Sequence, residues 1–373
     1  MSWPVKPYVD ELKVYEPGRP VEEVRRELGL KKLIKLASNE NPLGTSAAVK
    51  KALNRALGRV HFYPESTGPL LLEALSRRLG VNTDQIILGN GSNEIIEFLC
   101  RAFLRELDEA VSSECTFLVY PLITQIAGGR YVAVPMQDGS RYHLEAMLKR
   151  IGPCTRLVFI ANPNNPTGTY VSMEALDRFI RAVPAEVIVC VDEAYFDFTE
   201  AKDYPDGLRY IKMGYENVIV LRTFSKSYGL AGLRIGYGVA DKKLIRYLHK
   251  VRQPFNVNAL AQVAAEAALG DRAYLKRTRE LVASGRRFFY KELDRLGLSY
   301  LPSQANFVLI NLNRDAGPVV DRLLHKGLIV RGMKAYNLPS HIRVTVGLPS
   351  ENARFIRKLE RALEKTARPA KKR

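Results

Sequence analysis

A single lysine, Lys226, stands between two serines in the stretch LRTFSKSYGLAGLRIGYG, residues 221–238, and Arg234 follows eight residues on. Glycines and small aliphatic residues fill most of the remainder, the composition of a tight, buried turn. A lysine desolvated in such a place has a depressed pKa and becomes a nucleophile able to form a Schiff base with a carbonyl. Ser225 and Arg234 supply anion-binding groups beside it.

Three other stretches carry chemistry at comparable places. The apolar run VIVCV ends in DEAY, which puts Asp192 where a carboxylate is costly to bury unless it meets a cation or a donor. Tyr195, three residues on, can reach the same ligand; helix capping is the plainer use of Asp192. The loop PNNPTGT, stiffened by two prolines and a glycine, presents Asn164, Asn165 and Thr167. The run QIILG leads into NGSNE, where Gly89 and Gly91 turn the backbone into a helix start whose N–H groups form a phosphate site. Alone, that last motif is explained by a capped glycine turn. Together the four describe one cofactor. Pyridoxal 5′-phosphate needs an amine partner for its aldehyde, a carboxylate for its ring nitrogen, donors for its ring oxygen and a cup for its phosphate.

Such residues must be set by a scaffold, and the chain supplies one. From about residue 80 the runs QIILG, DEAVSS, YVAVPM, RLVFIAN, EVIVCVDEAY, NVIVLRTFSK and IGYGVA read as strands, mostly too continuously apolar to have one wet face. Amphipathic segments such as NEIIEFLCRAFLREL, YHLEAMLKRI and SMEALDRFIRAV lie between several of them. Alternation of this kind predicts a mainly parallel sheet with helices on both faces, and ligands bind at the carboxyl ends of its strands. The reading is therefore an α/β large body over residues 36–255, a smaller α/β body over 256–373, and an extended proline-bearing arm over 1–35.

Composition narrows the classes. The chain has 373 residues, 46% of them hydrophobic, enough for a large and a small domain. Its four cysteines show no metal or redox spacing, and Cys190 within VIVCV reads as a reduced, buried thiol. No signal peptide is legible at the start, and no apolar run approaches the ~20 residues of a membrane span, so the expected compartment is the cytoplasm. The formal net charge is +18, partly in the end segment KTARPAKKR, which reads as a frayed tail. The remainder is spread along helices with no dense basic block and no nucleic-acid motif, which argues against a nucleic-acid partner.

The chain resembles the fold-type I pyridoxal-phosphate aminotransferases, and within them the histidinol-phosphate aminotransferase family. The likeness is carried by YEPG (15–18), LASNENPLG (36–44), YP (63–64), GSNEIIE (91–97), TFLVY (116–120), ANPNNPTGT (161–169), VDEAY (191–195), RTFSKSYGLAGLRIGY (222–237), LIVRG (328–332) and IRVTVG (342–347). The resemblance implies that Lys226 holds the cofactor and then shuttles a proton. It implies that Asp192 keeps the ring nitrogen protonated, and that Asn165 and Tyr195 donate to the ring oxygen. Ser92, Asn93, Thr223, Ser225 and Arg234 would bind the phosphate. Phe117 would stack on the ring, with Tyr120 a weaker candidate and ordinary helix core the alternative for both. Tyr63 would reach in from the other subunit of a homodimer.

For the substrate, the resemblance implies Arg343 on the α-carboxylate and Arg331 with Tyr15 at the phosphate of histidinol phosphate. The bidentate task suits guanidinium. The implied reaction moves an amino group between L-histidinol phosphate and 2-oxoglutarate, in histidine biosynthesis. An aromatic-amino-acid aminotransferase of the same fold and a phosphothreonine decarboxylase are the alternatives, and a cofactor-binding regulator without turnover is a third. The segments SSEC before Thr116, TSAA after LASNENPLG, and LRELDEA depart from the family pattern by lacking its usual prolines. They bear on loop shape near Phe117 and on substrate preference.

Overall fold

The computed structural model describes residues 3, 5–10, 12, 20–30 and 32–364. Tyr15 and the basic end segment 365–373 lie outside the described residues.

Among the described residues, thirteen strands form three sheets. In chain order they are β1 (Ile34–Lys35), β2 (Ile86–Gly89), β3 (Glu109–Ser113), β4 (Arg130–Val134), β5 (Thr155–Ala161), β6 (Ile188–Asp192), β7 (Val218–Thr223), β8 (Gly236–Ala240), β9 (Tyr300–Leu301), β10 (Phe307–Asn311), β11 (Leu328–Ile329), β12 (Arg331–Met333) and β13 (Leu338–Thr345). The large sheet runs β2-β8-β7-β6-β5-β3-β4. It is parallel except for β8, which pairs antiparallel with β7 and β2. This is the mainly parallel sheet that the continuous apolar runs imply.

Strand alternation divides the interior into two cores. Val189 and Val191 of β6 enter one, with Val158, Ile160, Val218 and Val220. Ile188 and Cys190 enter the other, with Leu157, Phe159, Ile219 and Leu221. Both faces are thus dry, which is why these strands read as unbroken apolar runs. Asp192 has the parity of Ile188 and Cys190, so its side chain leaves the sheet on the second face. The helix Ala259–Gly270 packs into the first core through Ala261, Ala264, Ala265 and Ala268, although it follows residue 255. Small side chains let it approach the helices Ala47–Ala56 and Pro69–Leu79 closely.

The second body is an antiparallel sheet, β12-β13-β10-β9, backed by the helices Gly317–His325 and Pro349–Glu364. The long helix Arg272–Arg295 packs on it through Phe289 and Leu293. β1 joins β11 in a short parallel pair, carrying the stretch before Leu36 onto this body.

The arm departs from the extended form expected of its prolines. Within the described residues it contains the helix Val21–Leu28, with Glu22 and Glu23 in its first turn, Arg25 and Arg26 in its last, and Gly29 as a left-handed C-cap. Those charges oppose the helix dipole, and Val24 is buried against Ala37 and Ile329. Pro20 only marks where the helix begins.

Candidate active site

A cavity of about 290 Å³ opens at the carboxyl ends of the central strands, closed from the other side by β12 and β13. Of the candidates offered by the sequence, all line it except Tyr15, Tyr63, the weaker stacking candidate Tyr120, and Asn164 and Thr167. Tyr15 lies outside the described residues. Tyr63 is 84% exposed on the surface of its own chain, where it stacks on Phe255 with ring centroids 4.9 Å apart.

Lys226 follows the last residues of β7. Its Nζ donates to the Ser38 carbonyl at 3.3 Å and lies 5.8 Å from the centre of the Tyr195 ring. Burial lowers its pKa to about 8, and the nearby guanidiniums of Arg343 and Arg234 act in the same direction. An appreciable neutral fraction at neutral pH follows, the condition for nucleophilic attack.

Asp192 ends β6, buried in the floor. Its Oδ2 accepts from Tyr120 Oη at 2.9 Å and its Oδ1 from the Ala194 backbone N–H at 3.1 Å. Burial outweighs these donors and Lys226, raising the carboxyl pKa to about 6. A cation placed over the floor would relieve that burial. Tyr120 is therefore a partner of Asp192. It is fully buried, stacked on Phe159 at 4.7 Å, and meets Phe117 edge-on at 5.6 Å. Phe117, at the start of the same segment, is the one of the two that reaches the cavity.

On one side of the cavity a group of donors converges. The helix Ser92–Phe103 starts after Gly91, whose φ of +80° no β-carbon-bearing residue adopts easily. A Cβ there would stand 2.5 Å from Arg234 Nη2, so the guanidinium lies against the bare glycine. Arg234 also donates to Ser225 Oγ at 3.3 Å, and the Ser225 N–H donates to Thr223 Oγ1 at 3.1 Å. Gly236 of β8 is equally constrained, since a Cβ would come within 2.6 Å of the Ser92 nitrogen. Helix start, hydroxyls and guanidinium together form a cup for a multiply charged anion.

The opposite wall belongs to the second body. Arg343 is buried; its Nη1 donates to Asn165 Oδ1 and its Nη2 to the Ala37 carbonyl at 2.9 Å. Its Nε is buried with no hydrogen-bond partner. Accepting through Oδ1 leaves Asn165 its amide nitrogen to donate with. The loop carrying Asn165 is held from behind by Asn164, which accepts from Thr116 at 2.8 Å and donates to the Cys115 carbonyl and Thr167. Arg331 lines the cavity from β12.

The sequence profile of aminotransferase class I and II matches residues 31–359. The chain belongs to this family of aminotransferases. It is 48% identical over 352 residues to a histidinol-phosphate aminotransferase of Moorella thermoacetica, covering 94% of this chain and 91% of that protein. Identity to histidinol-phosphate aminotransferase 2 of Pseudomonas fluorescens is 47% over 360 residues, covering 96% and 97% of the two chains. The fold matches the crystal structure of histidinol-phosphate aminotransferase from Sinorhizobium meliloti in complex with pyridoxal 5′-phosphate. The TM-score there is 0.90 at 29% identity, over 98% of this chain and 99% of that one. The fold is thus fold type I, and the enzyme class that of a transaminase. Among the described residues no helix is long and apolar enough to cross a membrane.

Two features of this aminotransferase site escape sequence reading. Asn39, in the phrase LASNENPLG, is buried in the cavity wall and bonded to Tyr195. Beneath the floor, Arg222 pairs with the fully buried Glu193 at 2.7 Å and lies over the Phe196 ring at 3.7 Å, tying the end of β6 to that of β7. The signal for the second was present: charged residues adjoin apolar strands in both VDEAY and LRTFS.

Proposed function

We propose that this aminotransferase uses pyridoxal 5′-phosphate to transfer an amino group between L-histidinol phosphate and 2-oxoglutarate. The observation that carries the reading is the meeting in one cavity of Lys226, the Asp192 carboxylate, an anion cup at a helix start and two arginines on the facing sheet. The residues present fit the cofactor. The two bare glycines bring donors close together as a phosphate requires. The buried Asp192 carboxyl, its pKa raised by burial, suits a cationic ring nitrogen, and the unpartnered Nε of Arg343 is left for the substrate's carboxylate.

When bound, pyridoxal phosphate supplies an aldehyde for amine exchange and a ring that accepts the electrons of a breaking Cα–H bond. Lys226 provides the amine that holds it and then, through Nζ, takes and returns the substrate Cα proton. Asp192 keeps a positive ring nitrogen in place, and Tyr120 with the Ala194 N–H holds the carboxylate oriented. Asn165 and Tyr195 donate to the ring oxygen, and Phe117 covers one ring face. Ser92, Asn93, Thr223, Ser225 and Arg234 grip the phosphate. Arg343 clamps the α-carboxylate of either substrate, while Arg331 meets the phosphate of one and the side-chain carboxylate of the other.

The working form in this reading is a cytoplasmic homodimer. Leu57, Val60, Phe62, Tyr63, Leu70 and Phe255 are all exposed on the described chain. An apolar surface of this kind suits a second copy, and Tyr63 would complete that copy's site.

The test is an absorption spectrum of the protein loaded with cofactor during addition of histidinol phosphate, with Lys226→Ala alongside. Conversion of the visible band to the amine form, in wild type alone, is the expected result. A band that ignores histidinol phosphate and responds to phenylalanine moves the substrate to an aromatic amino acid. Failure to bind the cofactor ends the proposal.

A further inference from the structure

Three consecutive residues, Ala37 to Asn39, each touch a different functional side chain. The Ala37 carbonyl accepts from Arg343, the Ser38 carbonyl from Lys226, and Asn39 Nδ2 donates to Tyr195 Oη at 2.9 Å. The last of these has a direction, and the direction is set by the surroundings. Thr345 Oγ1 accepts the Asn39 backbone N–H at 2.9 Å, and its own proton goes to Asn39 Oδ1 at 3.2 Å. With Oδ1 engaged as acceptor, Nδ2 is the end that faces Tyr195. The Asn39 carbonyl in turn accepts from Asn306 at 3.0 Å. Each backbone and side-chain polar group of this buried residue is thereby committed. Its φ of +55° is a left-handed conformation that Asn and Asp tolerate better than other residues with a β-carbon.

We propose that Asn39 is a positioning residue that steers the hydroxyl proton of Tyr195 toward the cofactor's ring oxygen. By occupying a lone pair on Oη as a donor, it makes Tyr195 an acceptor in this bond and turns the Tyr195 proton elsewhere. A donor on a hydroxyl oxygen also polarises it, so that the hydroxyl gives its own proton more strongly. The relay runs Thr345, Asn39, Tyr195, and it ties the second body, which carries the substrate arginines, to the proton balance of the cofactor. This inference rests on the cofactor reading given above.

The experiment is a pH titration of the visible absorption of the loaded enzyme, which reports the proton on the Lys226 linkage. Asn39→Asp keeps the shape and tolerates the backbone angle but replaces the donor with an acceptor, drawing the Tyr195 proton away from the ring. Losing a donor to the ring oxygen favours the protonated linkage, so the midpoint rises, by about one pH unit. Tyr195→Phe raises it similarly, and the double variant adds little to Tyr195→Phe alone. Thr345→Val, which releases the amide without placing a charge, gives a smaller rise in the same direction, so the inference stays testable if Asn39→Asp does not fold. An unchanged midpoint in either loaded variant overturns the inference. So do shifts that simply add in the double variant, because those belong to the new carboxylate's charge. Wild type that takes up no cofactor removes this inference together with the proposed function, whereas a normal wild-type titration with additive shifts removes the inference alone.

Discussion

Arg343 on β13 stands directly opposite Arg331 on β12, and both line the one cavity. Like charges paired across antiparallel strands repel, which is tolerable where an anion is to sit between or beyond them. The two differ in setting: Arg343 is buried against Phe307 with a 5.2 Å approach to the ring, and Arg331 is half-buried. Arg343→Ala is expected to raise KM for every substrate by roughly tenfold or more, the value of a charged hydrogen bond of about 1.5–3 kcal/mol. Arg331→Ala is expected to raise it for histidinol phosphate and for 2-oxoglutarate and to leave the KM for phenylalanine unchanged. Steady-state kinetics with both amino donors decides, and an Arg331 variant as active as wild type with histidinol phosphate would refute the assignment.

The depressed pKa of Lys226 has a pH signature. Capture of the cofactor aldehyde needs the neutral amine, so its rate at fixed aldehyde is expected to climb with pH through about 8 and then level. Arg343→Met removes a neighbouring positive charge and moves that midpoint upward. A folded pKa below the unfolded 10.5 also means that the unfolded chain binds more protons between about 8 and 10.5. Through this group, cofactor-free protein therefore gains stability as pH rises across that window, and Lys226→Met loses the gain. Stopped-flow uptake and denaturant unfolding at several pH values measure the two effects.

At Gly236 the obstruction is backbone: the Ser92 nitrogen, the Gly91 carbonyl carbon and the Arg222 oxygen all lie within 2.9 Å of where a Cβ would be. Gly236→Ala is therefore expected to cost about 1–3 kcal/mol of stability by overpacking. It should also weaken phosphate binding, since the helix start must move. Fluorescence titration of cofactor-free protein with inorganic phosphate checks this without turnover.

Arg222→Met leaves Glu193 in the core without its cation, a loss of about 3 kcal/mol or more. Burial already raises the Glu193 pKa to about 7 against the pull of Arg222. A raised folded carboxyl pKa means that stability falls as pH rises from the unfolded value, 4.5, toward 7. The variant's deficit should accordingly be greatest above pH 7 and shrink toward pH 5. Replacing Glu193 by Gln in the same background should recover part of it. Urea unfolding midpoints across that range give the answer, and a pH-independent deficit would show that the pair is not its source.

Local signals made much of the fold legible. Val189 and Ile188 point to opposite sides of the sheet, yet both faces are dry, so β6 reads as one apolar run and its class follows from that alone. The helix Val21–Leu28 was obscured because the prolines before it read as an extended arm, while its amphipathic face became significant only with Ala37 and Ile329 to cover it. Tyr120 shows the same limit at the site. Its place within TFLVY offered ring stacking, and only the stacking of its ring on Phe159 of β5 brings the hydroxyl to Asp192 at the end of β6.

The amino-acid sequence by itself determined which chemical groups stand at the strand ends, because strand, turn and helix start are decided by near neighbours: Lys226 after β7, Asp192 at the end of β6, Asn165 after β5, Ser92 after β2. It also determined the family, through phrases that span nearly the whole chain. Only the tertiary structure decided the partners: Asn39 on Tyr195, Arg331 beside Arg343, Glu193 under Arg222. These contacts join residues from about 12 to more than 150 positions apart, and no local pattern encodes them. Which donor meets which acceptor depends on the register of separate sheets and the closure of one body on the other, and there burial leaves each polar group only the partner that packing brings within reach.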